Sequence, residues 1–333
     1  MNERGGLSRR SLLKSGILGV AGLAAGNKAV IAAEKLASTD PHDPSAAGTV
    51  GRVTDGSIDP IAFLESFDYG RVTRRADGKV VREYDMQAID REIEVAPGVF
   101  YPAWTFNGQV PGPTIRATAG DVVRINFQNH ATHAHTIHFH GIHPANMDGV
   151  FEVVGPGESF VYEFEAKPFG VHLYHCHVKP IKKHMSKGLY GAFIVDPPDP
   201  RPHAREMVML MNGFDTNFDG ENEIYAANTI AFAYEADPIP VRKGQLQRLY
   251  LINITEFDPV NSFHLHGNMF HVYRTGTSMA PHDFTDTIMM CQGERHILEF
   301  TYDQPGRYLF HAHQAEFAEL GWRGVFNVHE ALA

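Results

Sequence analysis

Cysteine is nearly absent: 333 residues hold two, Cys176 and Cys291. Two cysteines cannot build a disulfide framework, so the fold must rest on a buried core. Long apolar runs are missing too. The one candidate, "SGILGVAGLAAG" near the start, is too short to span a bilayer. Sustained helical periodicity is scarce, which argues against an α-helical fold. Positive charge is in deficit, with 29 Lys and Arg against 39 Asp and Glu, a formal net charge of −10 that speaks against nucleic acid as a partner. What the chain does have is 20 histidines, and they are clustered.

"SRRSLLK" followed by the short apolar stretch reads as a twin-arginine address, with small residues at Val30, Ala32 and Ala33 suited to cleavage. Residues 1–33 are therefore set aside as a signal peptide. No later segment is apolar enough to cross a membrane. The expected product is periplasmic or secreted, exported already folded by the twin-arginine route, without stable membrane insertion.

From about residue 80 the chain reads as β. "VVREYDMQAIDREIEV", "TIRATAGDVVRINFQN", "ESFVYEFEA" and "HILEFTY" alternate or run apolar between Gly, Pro and Asn. "DPIAFLESF" (59–67) predicts one short helix within an N-terminal extension, residues 34–83. An ungapped internal repeat organises the rest. "EFEAKPFGVHLYHCH" (163–177) matches "EFTYDQPGRYLFHAH" (299–313), "HTIHFHG" (135–141) matches "NSFHLHG" (261–267), and "GLYGAFIV" (188–195) matches "GWRGVFNV" (321–328). The expectation is all-β: two Greek-key β-sandwich domains, 84–197 and 205–333, joined by a proline-rich linker, 198–204.

On a strand, residues i and i+2 face the same way, about 6.6 to 6.8 Å apart, so His-x-His aims two imidazoles at one place. Four such pairs occur at repeat-related positions: His138/His140, His175/His177, His264/His266 and His311/His313. Eight buried imidazoles would each need a hydrogen-bond partner, so core packing is a poor explanation and metal binding a good one. Parity then separates a second site. Cys176 lies between two rings that face one way, so its sulfur faces the other. His135, three residues before His138, shares that opposite side, and His184 follows on the loop beyond. One cysteine with two histidines is the blue-copper set. In the repeat their partners are Asn261, Ala312 and Phe317. All three ligands are lost together while the His-x-His pairs survive.

These motifs, with "FNGQVPGPTIRATAGD" (106–121), resemble the multicopper oxidases, in particular their two-domain laccase-like members, kin of copper nitrite reductases. The resemblance covers about residues 84–328. It implies cupredoxin domains and four coppers per active unit. Type 1 copper would take His135, Cys176 and His184, and type 2 copper His138 and His264. The type 3 pair would take His140, His175, His177, His266, His311 and His313. The residue axial to type 1 copper is expected at Leu189, a non-coordinating side chain, with Met185 as the rival. By analogy three subunits close a ring, and the trinuclear site takes four histidines from each side of a subunit interface. Asp148, in "NMDG", matches the family's proton-handling aspartate, and Glu316 is a second candidate. Cys291, in "TIMMCQG", reads as a buried apolar residue.

The implied reaction is one-electron oxidation of a small donor, a phenol or aromatic amine, coupled to reduction of dioxygen to water. Alternatives are a copper nitrite reductase and a non-enzymatic copper or electron-transfer protein. Against the former, this chain has His138 where nitrite reductases carry an aspartate, and Asn268 where they carry a second catalytic histidine. "MVMLM" (207–211) hints at cuprous-ion oxidation but fits a core strand equally well.

Overall fold

A computed structural model describes residues 58–330; the signal-peptide expectation for 1–33 lies outside them. Ten strands build the first half: β1 (Phe67–Asp68), β2 (Arg71–Arg74), β3 (Val80–Ala96), β4 (Val99–Phe106), β5 (Thr114–Thr118), β6 (Val122–Asn129), β7 (His138–Phe139), β8 (Ser159–Glu165), β9 (Gly170–His175) and β10 (Tyr190–Asp196). They form one sheet in the order β1-β5-β10-β9-β7 and a facing sheet β2-β3-β6-β8, with β4 paired to β3. The second half follows as β11 (Arg205–Phe214), β12 (Ile224–Ala227), β13 (Ile239–Arg242), β14 (Gln247–Asn253), β15 (Val260–Leu265), β16 (Phe270–Arg274), β17 (Asp283–Thr285), β18 (Thr287–Cys291), β19 (Arg295–Phe300), β20 (Gly306–His311) and β21 (Arg323–His329). Its sheets run β12-β11-β14-β19-β16-β17 and β13-β21-β20-β15-β18. The fold is all-β, two cupredoxin-like sandwiches.

Alternation decides what each strand buries. In β6, Val123, Ile125 and Phe127 enter the first core, where Tyr162 and Phe164 of β8 meet them. β11 is apolar on both faces. Met207, Met209 and Met211 enter the second core, while Val208 and Leu210 enter a third cluster between the domains. "MVMLM" is therefore a strand buried on both sides, and its sulfurs serve packing. The third cluster joins Val171, Leu173, Ala192 and Ile194 of the first domain to Tyr250, Ile252 and Ile297 of the second. The outer faces of two sheets thus meet and hold the halves together.

The expected helix forms at Pro60–Leu64, where Asp59 accepts hydrogen bonds from the N–H groups of Ile61 and Ala62, with Pro60 in the first turn. Its Leu64 enters the second core and Phe63 the interdomain cluster. Residues 67–83, placed by sequence in the N-terminal extension, contribute to the first sandwich: β1 pairs with β5 and β2 with β3.

Beneath the linker lies a cavity of about 530 Å³, walled by Arg116, Arg201, Arg248 and Glu206 among others. Glu206 accepts from Arg116 at 2.6 Å, Arg248 at 2.9 Å and Tyr250 at 2.7 Å. Burial alone would raise its pKa, yet these donors hold it down to about 2. Without Glu206, Arg116 would keep Asp196 and Arg248 would keep Glu299, but two buried guanidinium groups and the Tyr250 hydroxyl would each lose a partner, at about 1–3 kcal/mol for each donor left unsatisfied. Glu206→Ala should therefore lower the urea midpoint strongly, and Lys79→Ala, at the exposed Lys79–Glu165 pair, should leave it unchanged. Equal midpoints for the two variants would contradict this.

Candidate metal centre

Strand β9 ends at His175, and its pleat sorts the residues around it. Tyr174 and Cys176 point into the first core, with Ile137 and Phe139 of the neighbouring segment. His175, like His138 and His140, faces away from that core. On the core side, Cys176 Sγ lies 3.3 Å from His184 Nδ1 and 3.8 Å from His135 Nδ1, and the two ring nitrogens are 3.2 Å apart. The chain brings them there by three devices. His135 is fixed by a reciprocal backbone bridge to Val154. Cys176 is anchored by its N–H donating to Leu189 O at 3.0 Å. His184 sits on a helix, Ile181–Ser186, where the sequence had suggested a loop, and Pro180 opens that helix.

All three donors are buried. Burial pushes the His135 imidazole down to about 3 and the His184 imidazole down to about 4, and pushes the Cys176 thiol up. The Thr136 N–H, 3.4 Å from Sγ, would stabilise a thiolate. Neutral imidazoles turned on one sulfur, with all donor atoms within 4.8 Å of one another, fit copper by donor chemistry. Leu189 belongs to the same buried cluster as Cys176, whereas Met185 packs in the interdomain cluster.

The His-x-His pairs form two further sets. In the first domain His138, His140 and His175 bring donor atoms within 4.8 Å of one another, with His140 Nε2 and His175 Nε2 at 3.3 Å. The His177 ring is 5.3 Å from that of His138. In the second domain His264, His266 and His311 do the same, with His266 Nε2 and His311 Nε2 at 2.9 Å. The His313 ring is 5.4 Å from that of His264. Among the described residues, the ring contacts of these eight histidines stay within their own domain.

Carbonyl oxygens fix the tautomers. His138 Nδ1–H donates to Asp148 O at 2.7 Å, His175 to Cys176 O at 3.0 Å, His264 to Asp286 O at 3.0 Å and His311 to Ala312 O at 2.6 Å. Each leaves Nε2 for a metal. Two supports escaped the sequence reading although the repeat encodes them. Thr136 Oγ1 accepts the His177 N–H at 3.0 Å, and Ser262 Oγ accepts the His313 N–H at 2.7 Å. "HTIHFHG" and "NSFHLHG" carry a hydroxyl at the same place. Trp104 was missed as well; its ring centroid is 4.8 Å from that of His184 and 5.5 Å from that of His135.

Asp148 stands beside the first set, Oδ1 3.2 Å from His138 Nδ1 and 3.7 Å from His143 Nε2. Gly149 is required behind it: at φ +70° an added Cβ would lie 1.9 Å from Ile137 O. Glu316 is exposed in the helix Ala315–Glu319, outside the donor group of His264, His266 and His311. Cys291 is exposed, not buried. Met290 takes the inward face of β18, so alternation turns Met289 and Cys291 outward.

In the second domain the cysteine-site positions are filled. Ala312, Phe317 and Trp322 all enter its core. Phe317 stacks on Tyr225 at 4.0 Å, and Trp322 Nε1 donates to Ser262 O at 3.2 Å.

Multicopper oxidase domain models match residues 89–200 and 201–331. The chain belongs to the multicopper oxidase family. Members bind copper and act as oxidoreductases, and both statements apply to this chain. A solved multicopper oxidase is 51% identical with a TM-score of 0.81, over 82% of this chain and 98% of that one. A copper nitrite reductase from Nitrosomonas europaea is 26% identical, TM-score 0.69, over 75% of this chain and 94% of that one. The copper-containing nitrite reductase of Neisseria meningitidis serogroup A is 29% identical over 244 residues, 67% of this chain and 63% of that protein. Copper resistance protein A of Escherichia coli is 38% identical over 123 residues, 34% of this chain and 20% of that protein.

For this multicopper oxidase the buried rings imply a pH dependence. His135, His175 and His184 are held at about 3, 4 and 4 by burial, against an ordinary 6.5. Between those values the unfolded chain takes up protons that the folded chain refuses, so stability is full above pH 6.5 and falls towards pH 4. The urea midpoint of the copper-free protein should drop across that window, and bound copper should resist the drop. A flat midpoint would contradict the assignment.

Proposed function

We propose that this chain is a laccase-like oxidase that takes electrons singly from a small donor, of the phenol or aromatic-amine class, and passes them to dioxygen, which leaves as water. The observation that carries this reading is the eight outward-facing histidines in two matched sets, beside a separate cysteine site in one domain only. Copper there would supply one-electron exchange at the cysteine site and four-electron dioxygen reduction at a cluster of three.

The chain's own residues prepare that chemistry. Cys176 and its neighbours His175 and His177 are consecutive, so a covalent path joins the two sites. Thr136 N–H donates to the sulfur, and the apolar Leu189, buried in the same cluster as Cys176, would offer copper no further donor atom and so favour a high reduction potential. Backbone carbonyls hold His138, His175, His264 and His311 with Nε2 outward. Asp148, within reach of His138 and His143, is assigned to hold water and hand on protons. Glu316, exposed, is the weaker candidate for the same role.

Each four-histidine set is half of a cluster in this reading, completed by a neighbouring copy in a closed homotrimer. Exposed Ile142 and Phe151 follow His140 in sequence, and exposed Met289 lies two residues beyond Thr287, the hydrogen-bond partner of His264. Apolar surface of this kind suits a subunit contact. Four coppers per active unit and twin-arginine export belong to the same proposal.

A nitrite reductase is the second reading, favoured by the relatives above. Against it stand His138, and Asn268 in place of a catalytic histidine. Asn268 Nδ2 donates to Thr301 O at 3.0 Å. A copper carrier would leave the eight rings idle.

Oxygen uptake with a panel of donors (a phenol, an aromatic diamine, ferrous and cuprous ions), with nitrite as the rival acceptor, tests the reaction. Uptake with at least one donor and no nitrite turnover is expected; nitrite turnover without oxygen uptake would overturn the reading. On gel filtration the copper-loaded protein should elute as a trimer, and a monomer would sink the shared-cluster arrangement.

A further inference from the structure

The cysteine site is closed to solvent. His135 and Cys176 are 0% exposed and His184 is 4% exposed, so a donor finds no ligand edge to touch. Trp104, on β4 and itself 1% exposed, lies against both ligand rings. On another side its ring is 4.5 Å from that of His133, inclined by 35°. His133 is half-buried and reaches the surface. One continuous aromatic path therefore runs from the surface to the ligand pair: His133, Trp104, then His184 and His135.

Both ends of the path are fixed. The Trp104 backbone N–H donates to Lys187 O at 2.8 Å. Thr132 donates to the buried Asp90 Oδ2 from its N–H at 3.1 Å and its hydroxyl at 2.9 Å, and that hydroxyl lies 3.0 Å from His133 Nδ1. The neighbourhood also says how the indole would serve. Lys183 and Lys187 ammonium groups sit 5.4 and 5.9 Å from its ring centroid. Cations there favour the neutral, electron-rich ring and oppose its oxidation. Among the described residues no acceptor meets the buried indole N–H, so none stands ready to take its proton from an oxidised ring. Trp104 is thus built as a bridge, not as a resting place for a radical.

We propose that electrons reach the ligand rings through His133 and Trp104, and that donors act from outside the ligand shell, against the His133 face. The inference rests on the copper assignment above. Each event moves one electron inward and leaves the donor oxidised by one, with no bond formed; a phenol would release its hydroxyl proton to solvent. Trp104 is a positioning residue in this scheme, since it touches ligand rings and not the metal.

The test uses Trp104→Leu, Trp104→Phe and His133→Ala in copper-loaded protein, without oxygen and without turnover. Copper content, the blue absorption band and the reduction potential are measured first. Bleaching of the band by ferrocyanide, an outer-sphere donor, is then followed in stopped flow. The expected result is an unchanged band and potential, with the rate constant down about tenfold in Trp104→Leu, equivalent to about 1.4 kcal/mol of activation free energy. Trp104→Phe should recover part of that loss, and His133→Ala should lie between Leu and wild type. Rates equal to wild type with an intact band would overturn the proposal, as would losses that merely follow a shifted potential. If Trp104→Leu fails to take up copper, the Phe and His133 variants decide. A wild-type protein with no blue band would sink the copper reading itself, and this inference with it.

Discussion

The pleat of strand β9 is the constraint on which the rest depends. Consecutive side chains on a strand face opposite ways, so the three residues His175, Cys176 and His177 cannot serve one site. The sulfur is committed to the interior of the first sandwich and the imidazoles to its outer face. Every other feature of the site follows that division. Ile137 and Phe139 fill the inner side, so His138 and His140 must lie on the outer one. The helix carrying His184 folds back over the sulfur, because the third donor has to come from the same side as the core.

The second domain shows what happens when one commitment is dropped and the other kept. Ala312 replaces the cysteine, and Phe317, Trp322 and Tyr225 pack the volume with aromatic carbon. Burying those rings is favourable, whereas burying a thiol and two imidazoles without a metal leaves polar atoms poorly satisfied. The Nδ1 atoms of His135 and His184 are such atoms, enclosed and facing each other at 3.2 Å beside the Cys176 sulfur. The cysteine site is thus a liability that only a bound cation repays, and a domain that does not use it has reason to fill it. Its outer face, bearing His264, His266, His311 and His313, is untouched by that exchange, because parity insulates one side of the strand from the other.

Much of this was legible in the chain. The duplication is visible in ungapped matches, and parity applied to "HCH" separates the two donor sets from sequence alone. Alternation failed in one instructive place: "TIMMC" is apolar throughout, so composition suggested burial for Cys291, while β18 at the edge of its sheet buries only Met290 fully. The supports of the site were harder to see. Trp104 lies far in sequence from His135 and His184, and the pairing of β4 with β3, with the backbone bond to Lys187 O, brings it over them. Thr136 and Ser262 were readable in principle, since the repeat keeps a hydroxyl there, but short polar side chains carry little signal until their partners are known. The part of the extension that reaches the second core and the interdomain cluster, Leu64 and Phe63, reads from sequence as a short helix, without any indication of what it would touch.

The central claim is that one strand serves two metal sites that are separate in space and joined only through the chain. Copper counting on Cys176→Ser against wild type tests it most directly, with the blue band and the trinuclear signals recorded on the same samples. The account predicts that the variant loses the blue band and one copper per chain while the histidine-bound copper stays. Loss of all copper together, or retention of the blue band, would contradict it.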